Sequence, residues 1–543
     1  MATTERERVE KHVQAMEAER QAFHNVWRSI SLYVQPGRGR FETNDRNQPR
    51  DYDRIINSRA TIASRTLASG LMSGLTSPAR PWFELGTGDP DVKRIPEVRE
   101  WLRTLTKLML QVFASGNLYE VLPNVYMELG LFGTACLSHQ DDYDDVARFY
   151  PHTVGTYAIG QNSRLKVDTK AHRRIMTVEQ MAQEFGLDNM SSGARMAYSR
   201  GDYQVTREVV SYISPRRSDL RRAGSPFAKD MPYQSVFYET GSKEHEFLRV
   251  SGFQEVPFYS PRWDVTEGDT YATTSPGFAA LGDTRALQVL EQEKAIAIQK
   301  KNNPPLHGPG SLKNKPIASI PGGTTLYDGS GQGGGLQPIY QVQPELQETE
   351  LTIQAHEARI NEAFLADLFA QLANLQGVQP RNQQELAMRN EEKLLQLGPF
   401  LERAQSELLD PLVDRTAQQV FRAEIMPPPP EVLFGQRLNV TYIGPLAVAQ
   451  RQVSAGSIER FVGYVGLVSQ IDPSAADMMD GDEVVNEIAE VLGTPPRLVR
   501  DSQSVEQIRE ARAEQQQQAE MLETAQVAAG AAKDAGIDLG GDQ

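Results

Sequence analysis

The chain has 543 residues, too many for one ordinary core, so roughly two to four structural units are expected. Its 56 Lys and Arg against 71 Asp and Glu give a net charge of −15, which argues against a free-standing nucleic-acid binder with a basic surface. The single cysteine, Cys136, excludes an intrachain disulfide and a four-cysteine zinc site, and it fits a reducing compartment.

The N-terminus lacks the features of a targeting segment. Its first thirty residues are charged and contain no continuous apolar stretch, so no signal peptide is expected. No run of about 18 apolar residues occurs anywhere in the sequence, so we expect neither a transmembrane helix nor a membrane partner.

Helical periodicity dominates the first part of the chain. Apolar residues recur at three- and four-residue steps over 5–33, which predicts an amphipathic helix. Small residues alternate with leucines over 52–75, which predicts a buried helix because small side chains let helix backbones approach closely. A strand is predicted to begin at 82–85, and residues 96–136 are again predicted to be helical.

From about 146 to 264 the pattern changes to short β-rich runs separated by turn residues. The predicted strands are VARFY (146–150), REVVSYI (207–213), SVFYE (235–239), EFLRV (246–250) and VPFY (256–259). A short helix is predicted near 177–186. The predicted fold class is therefore α+β and mainly helical.

Three long helices follow, and the segments between them are unusual. The predicted ranges are 283–301, 345–375 and 385–424. The last helix should be kinked at Gly398-Pro399 and Asp410-Pro411. The Gly/Pro-rich excursion 302–344 separates the first two helices, and loops of this length are usually functional or disordered. A closed ring of subunits would bury such helices well, whereas the simpler alternative is a helical domain with a disordered insertion.

The C-terminal region is predicted to be helical from residue 446, after short extended pieces at 432–434 and 439–444, and to end in a frayed tail. Residues 472–543 contain sixteen acidic and five basic residues. Most of the net negative charge of the chain therefore lies at this end.

Established catalytic motifs are absent from the sequence. It contains no phosphate-binding G-x-x-x-x-G-K-[ST], no zinc-binding H-E-x-x-H and no G-x-S-x-G elbow. GSGQGG (329–334) matches the dinucleotide fingerprint formally, but Pro338 follows where a helix would have to begin. We therefore expect no enzymatic activity, no metal and no cofactor.

Three charged clusters each allow two interpretations. DDYDD (141–145), near His139, could bind a divalent cation or form a solvated acidic loop. The arginines of PRRSDLRR (215–222) could bind phosphates or an acidic partner, or belong to a charged surface loop. Lys300 and Lys301 could face a channel, or could simply stabilise a helix C-terminus.

Two segments resemble the signatures of the head-to-tail connecting, or portal, proteins of short-tailed bacteriophages. ASGLMSGLTSPARPWFEL (68–85) is similar to the first signature, and LGPFLERAQSELLDPLVDR (397–415), followed by the prolines 427–430, resembles the second. The residues that match the first signature are Gly70, Gly74, Ser77, Pro78, Arg80, Pro81 and Trp82. The resemblance covers about residues 5–500 and includes the order of the long helices.

This resemblance implies a portal-type subunit that assembles into a closed ring, usually of twelve copies, at one capsid vertex. Double-stranded DNA would enter and leave the capsid through the ring. On this chain the implied regions are a wing (1–282 with 385–445), a stem (283–301 and 345–375), a clip (302–344), a tunnel loop (376–384) and a crown (446–543).

The implied channel carries little positive charge. Twelve copies at −15 each would carry about −180 charges, so the walls would repel the duplex and let it slide. The candidate tunnel-loop residues are Gln376, Gln379, Arg381, Asn382 and Gln383. The candidate docking residues of the clip are Lys313, Lys315, Tyr327 and Tyr340.

The resemblance also implies partners and a location. The partners are further copies of the chain, the DNA, the terminase large subunit, tail adaptor or tail tube proteins, scaffold and major capsid proteins, and internal core proteins. The location is the head–tail junction of the virion, after assembly in the host cytoplasm. Two alternatives stay open: another virion component, such as a tail adaptor or internal core protein, and an enzyme with an unrecognised site.

Overall fold

Helices and antiparallel strands alternate through the first of two structural units, Met1–Ala447, and the second unit is Val448–Gln543. The computed structural model describes residues 4–41, 51–89, 95–222, 227–304, 346–374, 397–426, 428–435, 438–447 and 461–468, with a few shorter pieces elsewhere. Its numbered α-helices are α1 (Glu5–Val34), α2 (Arg59–Leu75), α3 (Pro96–Ser115), α4 (Leu118–Phe132), α5 (Val178–Phe185), α6 (Ser192–Ser199), α7 (Pro276–Asn302), α8 (Leu346–Ala363), α9 (Ala366–Asn374) and α10 (Asp410–Arg422). Residues 397–404 are also helical.

The strands form four antiparallel sheets. They are β1 (Phe83–Thr87), β2 (Cys136–Asp142), β3 (Val146–His152), β4 (Tyr157–Gln161), β5 (Val167–Thr177), β6 (Thr206–Pro215), β7 (Tyr233–Glu239), β8 (Arg249–Phe253), β9 (Phe258–Tyr259), β10 (Leu306–His307), β11 (Gln337–Pro338) and β12 (Leu438–Tyr442). The largest sheet has the order β4-β5-β6-β7-β8, a second has the order β3-β2-β9, and β1-β12 and β10-β11 are two-stranded.

Helices cover both faces of the five-stranded sheet. On one face α1 packs Val9, Val13 and Met16 against the sheet, and on the other face α5 and α6 pack around Phe237. Adjacent residues of one strand reach opposite faces, as the two-residue period of a strand requires: Val209 joins the α5–α6 side and Val210 the α1 side.

The first helix agrees with its sequence prediction. A capping box fixes its start, because the Thr4 hydroxyl accepts from the Glu7 N–H and the Glu7 carboxylate accepts from the Thr4 N–H. The helix then runs over Glu5–Val34, one residue beyond the predicted range 5–33.

Two predicted helices are shorter than expected, because the backbone turns at residues that sequence periodicity does not reveal. The helix predicted over 96–136 is wrong as one element, since Asn117 has φ +64° and separates α3 from α4. The helix predicted over 345–375 is likewise divided into α8 and α9, because Leu365 has φ +53°. A left-handed residue breaks the hydrogen-bond ladder of a right-handed helix.

Other boundaries also moved. The helix predicted at 52–75 begins only at Arg59, and α7 begins seven residues before the predicted start at 283. The strand predicted at 246–250 is shifted to β8, and the extended piece predicted at 432–434 is a short 3-10 helix, Glu431–Leu433. The short helix α6 was not predicted at all.

Several predictions lie largely outside the described residues. They concern the excursion 302–344, the loop 376–384 and most of the predicted helices in 446–543. In the second unit the continuous described stretch is a helical segment, 461–468. Among the described helices, none combines the length and the apolar composition that crossing a membrane requires.

Candidate functional site

The first signature lies where α2 meets α9, next to the predicted tunnel loop. At Gly70 a Cβ atom would lie 2.2 Å from the ring of Phe369, so only glycine lets this buried ring sit against the α2 backbone. Gly74 similarly accommodates Leu446, whose Cβ would lie 3.2 Å from an added Cβ. Gly70 therefore fixes the helix that immediately precedes residues 376–384, and Gly74 fixes the chain around Leu446.

Trp82 anchors the other end of the signature in the core. Its side chain is fully buried, and the ring stacks on Phe113 at 5.8 Å and on Tyr442 at 6.3 Å between ring centroids. The indole N–H donates to the Tyr119 hydroxyl at 3.2 Å, which satisfies its one polar group. Tyr442 lies on β12, so Trp82 connects the signature with the chain that follows α10.

The middle of the signature turns at the surface. Ser77 is buried, and its hydroxyl accepts from the Ala79 N–H at 3.4 Å. Pro78, Arg80 and Pro81 are exposed. The signature thus combines a buried structural part with an exposed turn, and the turn residues are free to contact other molecules.

The helices α7 and α8 form an antiparallel pair that is fastened by charged side chains. Near one end Lys294 pairs with Glu350, and near the other end Asp283 accepts from Arg359 and His356 at 2.9 and 2.8 Å. Partial burial opposes ionisation of Asp283, but the hydrogen bonds from Arg359 and His356 prevail and lower the pKa of its carboxyl.

A group of hydrogen bonds attaches this pair to the residues just before α2. The Gln288 side-chain oxygen accepts from the N–H groups of Ile56 and Asn57, at 2.7 and 2.8 Å. The Asn57 amide donates to Glu291 at 3.0 Å and to Glu357 at 2.9 Å, and so reaches both helices of the pair. These contacts fix the pair to the start of α2.

The second signature begins after the predicted loop and is anchored by two neighbouring residues. Phe400 stacks on Trp263, with ring centroids 4.0 Å apart. Arg262, only 3% exposed, donates to the Glu407 carboxylate from its backbone N–H at 2.9 Å and from Nη2 at 2.7 Å. Glu407 lies in a π-helical turn, Gln405–Leu409, directly before α10. A π turn at this position accommodates Pro411, which cannot donate to the helix ladder.

The rest of the signature is held by a second ion-pair network. Arg415 is fully buried and donates to Glu255 at 3.1 Å and to Asp141 at 3.3 Å. Arg422, about two turns later, pairs with Glu255 at 2.7 Å. Both sides of the predicted tunnel loop are therefore fixed to the first unit, through Phe369 before it and through Phe400 to Arg422 after it.

The remaining candidate residues are distributed as follows. Lys300 and Lys301 are exposed in the last turn of α7. The tunnel-loop candidates and the clip candidates, including Arg381 and Lys313, lie outside the described residues. Asp141, from the acidic cluster 141–145, accepts from Arg415, and the described residues contain no group of three or more His, Cys, Asp or Glu that could hold a metal ion.

The arginine-rich segment 215–222 is a surface connection between β6 and β7. Arg217 pairs with Asp219 at 2.8 Å, and both side chains are exposed. Arg216 instead donates to the backbone oxygens of Met231 and Ala228. Part of the cluster therefore has a structural role.

Sequence reasoning missed the anchoring residues Arg262, Glu407 and Phe369. Arg262 and Glu407 are 145 positions apart, so nothing in the local pattern couples them. Phe369 was missed too, although Gly70, its contact, was identified as a signature residue. The available signal was the glycine, which marks a close approach without naming the approaching side chain.

Comparison with known proteins agrees with the signatures. The profile of the family described as bacteriophage head to tail connecting protein matches residues 6–499. The portal protein of Salmonella phage epsilon15 is 39% identical over 534 residues, covering 98% of this chain and 96% of that protein. A protein of Bordetella phage BPP-1 named "Probable portal protein" is 40% identical over 507 residues, covering 93% and 90%.

The family match spans both signatures, the α7–α8 pair and the return through α10. It favours the head–tail connector role over a tail adaptor or internal core protein, and it places the chain in a structural class of proteins. The chain therefore belongs to the family of bacteriophage head-to-tail connecting proteins.

Proposed function

We propose that copies of this chain close into a ring, with twelve as the expected number, at one vertex of the capsid. Double-stranded DNA is packaged and later released through the central channel. The observation that carries this proposal is the similarity to portal proteins over more than nine-tenths of the chain. The same similarity supports a location at the head–tail junction of the virion, after assembly in the host cytoplasm, and a structural rather than enzymatic role.

The regions of the subunit follow from the element order. We assign α7 and α8 with α9 to the stem, 302–344 to the clip and 376–384 to the tunnel loop. Residues 1–282 with 385–445 form the wing, and 446–543 form the crown. Support for the loop assignment comes from the anchored flanks, because a loop that grips or releases moving DNA needs a fixed base on each side.

The chemistry of the proposed loop suits a sliding contact. Its amides form weak hydrogen bonds that exchange easily, and Arg381 is its one charged residue. Each additional phosphate-neutralising cation would add salt-dependent affinity and slow the DNA. The exposed turn of α7 that carries Lys300 and Lys301 is a second proposed contact with the channel.

The proposed partners follow the stages of assembly. The clip binds the terminase large subunit during packaging and then the tail adaptor or tail tube proteins. The wing contacts the scaffold and major capsid proteins, and the crown faces the capsid interior and any internal core proteins. The DNA is recognised without sequence preference.

A packaging assay tests the proposal. We expect deletion of 376–384 to leave rings intact, because the flanks are anchored independently, and to lower nuclease-protected DNA at least tenfold. Deletion of 302–344 should abolish both rings and motor docking. Packaging at the level of the unaltered chain after the first deletion would contradict the loop assignment, and intact rings after the second would contradict the clip assignment.

A further inference from the structure

The α7–α8 pair is buried along its seam and, at the end that carries the start of α7, against α1, α2 and α4. Every buried residue of α7 lies before Val289, so the rest of this helix has no buried side chain within the described residues. On α8, Ile353 and Ile360 are buried. Each helix also carries a row of exposed side chains on the side away from its partner.

The outer face of α7 carries basic residues at its ends and apolar residues between them. Arg285, Val289, Ile296 and Lys300 follow one another at steps of four, seven and four, which places them on one stripe. All four are exposed, Val289 by 53% and Ile296 by 41%. Lys294, which pairs with α8, lies on the opposite side of the helix.

The outer face of α8 has the complementary pattern. Glu348, Leu351, Ala355 and Glu362 are exposed along one stripe, with acidic ends and apolar residues between them. Leu351 is 61% exposed. Glu350, which contacts α7, lies on the other side, whereas Arg359, which pairs with Asp283 of α7, lies beside the stripe. The pair therefore has a basic-ended stripe on one flank and an acidic-ended stripe on the other.

The two stripes match in length and direction. Arg285 to Lys300 spans about 22 Å and Glu348 to Glu362 about 21 Å, at 1.5 Å per residue. The antiparallel register set by Lys294–Glu350 places Lys300 and Glu348 towards the same end of the pair, within about one turn of each other. Arg285 and Glu362 lie together at the other end.

We propose that the α7 stripe of one copy packs on the α8 stripe of the next copy, with Arg285 facing Glu362 and Lys300 facing Glu348. The apolar contacts between them are made by Val289, Ile296, Leu351 and Ala355. This inference rests on the ring proposed above and names the surface that closes it. Two different, complementary flanks make a head-to-tail contact, which closes into a ring when the rotation per copy allows it.

Within the described residues, none of these four charged side chains has an ion-pair partner. The Arg285 guanidinium lies 5.4 Å from the ring centre of Tyr33, a contact that leaves its charge available. In this packing Lys300 faces the next copy, so the proposed channel contact of this turn narrows to Lys301, which lies about 100° further round the helix.

A charge-swap experiment on the full chain tests the pairing. The first variant, R285E/K300E, has acidic ends on both flanks, and the second, E348K/E362K, has basic ends on both flanks. Alone, each should stay dissociated at concentrations where the unaltered chain forms annular particles, with an apparent dissociation constant at least about tenfold higher. An equimolar mixture should form annular particles again, since each copy then meets the opposite charge on both sides.

A control variant and the assembly of the unaltered chain distinguish failure of this pairing from failure to form a ring. R103E/K107E changes two exposed charges of α3 and should assemble like the unaltered chain. Rings from either swapped variant alone, or no rings from a mixture whose components are folded by circular dichroism, would overturn the pairing. Absence of rings from the unaltered chain would overturn the proposed function as well.

Discussion

The helices α4 and α7 obtain their stability in different ways. Eleven of the fifteen residues of α4 are buried within the chain, whereas α7 has six buried residues in twenty-seven, all in its first half. The apolar burial that stabilises α4 is complete in one subunit. The far half of α7 has no buried side chain within the described residues, so its stable form depends on what covers its outer face.

The largest effect is expected in the buried region. Trp82→Ala removes a fully buried ring that stacks on Phe113 and Tyr442, and it should lower the free energy of unfolding by about 3–5 kcal/mol. Denaturant titration of the full chain measures the change. As a control, Tyr143→Ala removes a fully exposed ring and should stay within about 0.5 kcal/mol of the unaltered chain. Similar losses for both would mean that burial does not distinguish the two sites.

The return from the predicted tunnel loop should be the next most sensitive region. Arg262→Met leaves the Glu407 carboxylate without its buried partner, and we expect a loss of about 2–4 kcal/mol. This range lies below that of a fully buried pair because the Glu407 side chain is 20% exposed. The same titration provides the measurement. A loss under about 0.5 kcal/mol would show that Arg262 does not anchor the π turn.

Acidification should lower the stability of the buried region around His139 and His152, and it should affect the α7–α8 pair less. Burial, together with the charge of Arg415, holds the pKa of His139 well below its usual value, and burial with Lys170 and a neighbouring histidine does the same for His152. Both are neutral when folded but take up protons near pH 6.5 when unfolded. Their contribution to stability is therefore complete above pH 6.5 and is lost as the pH falls below it.

Thermal melting at several pH values measures this effect. The melting temperature should fall between pH 7 and pH 5, and His139→Gln should make the fall less steep. A melting temperature that rises over this interval would reverse the predicted sign.

The smallest effect is expected in the helix pair of the unassembled chain. Asp283→Asn removes a partly exposed contact with Arg359 and His356, and such pairs contribute less than about 1 kcal/mol. Melting of dissociated subunits should therefore barely change. A loss above about 2 kcal/mol would show that the pair is stabilised chiefly by its own seam rather than by contact between copies.

Local patterns predicted the parts of the fold that local chemistry determines. The α1 helix followed from its apolar period, and the structure adds the Thr4–Glu7 capping box at its start. The strands β3, β6 and β7 followed from alternating β-branched and aromatic residues. The glycines and the tryptophan of the first signature correctly identified a tightly packed segment.

What the sequence could not predict depends on distant partners. Asn117 and Leu365 adopt left-handed backbone conformations inside helical patterns; asparagine is enriched in this conformation but also occurs within helices, and leucine gives no local signal for it. The ion pairs of Arg262 and Arg415 join segments more than a hundred residues apart. The roles proposed for Arg381 and the clip residues stay predictions.

The most direct test of this account is single-particle imaging of the purified full-length chain, first in negative stain and then in ice. We predict annular particles with an open central hole, in which neighbouring copies touch through the helices α7 and α8. Compact monomers at high protein concentration, or a ring whose neighbouring copies keep these helices apart, would contradict it.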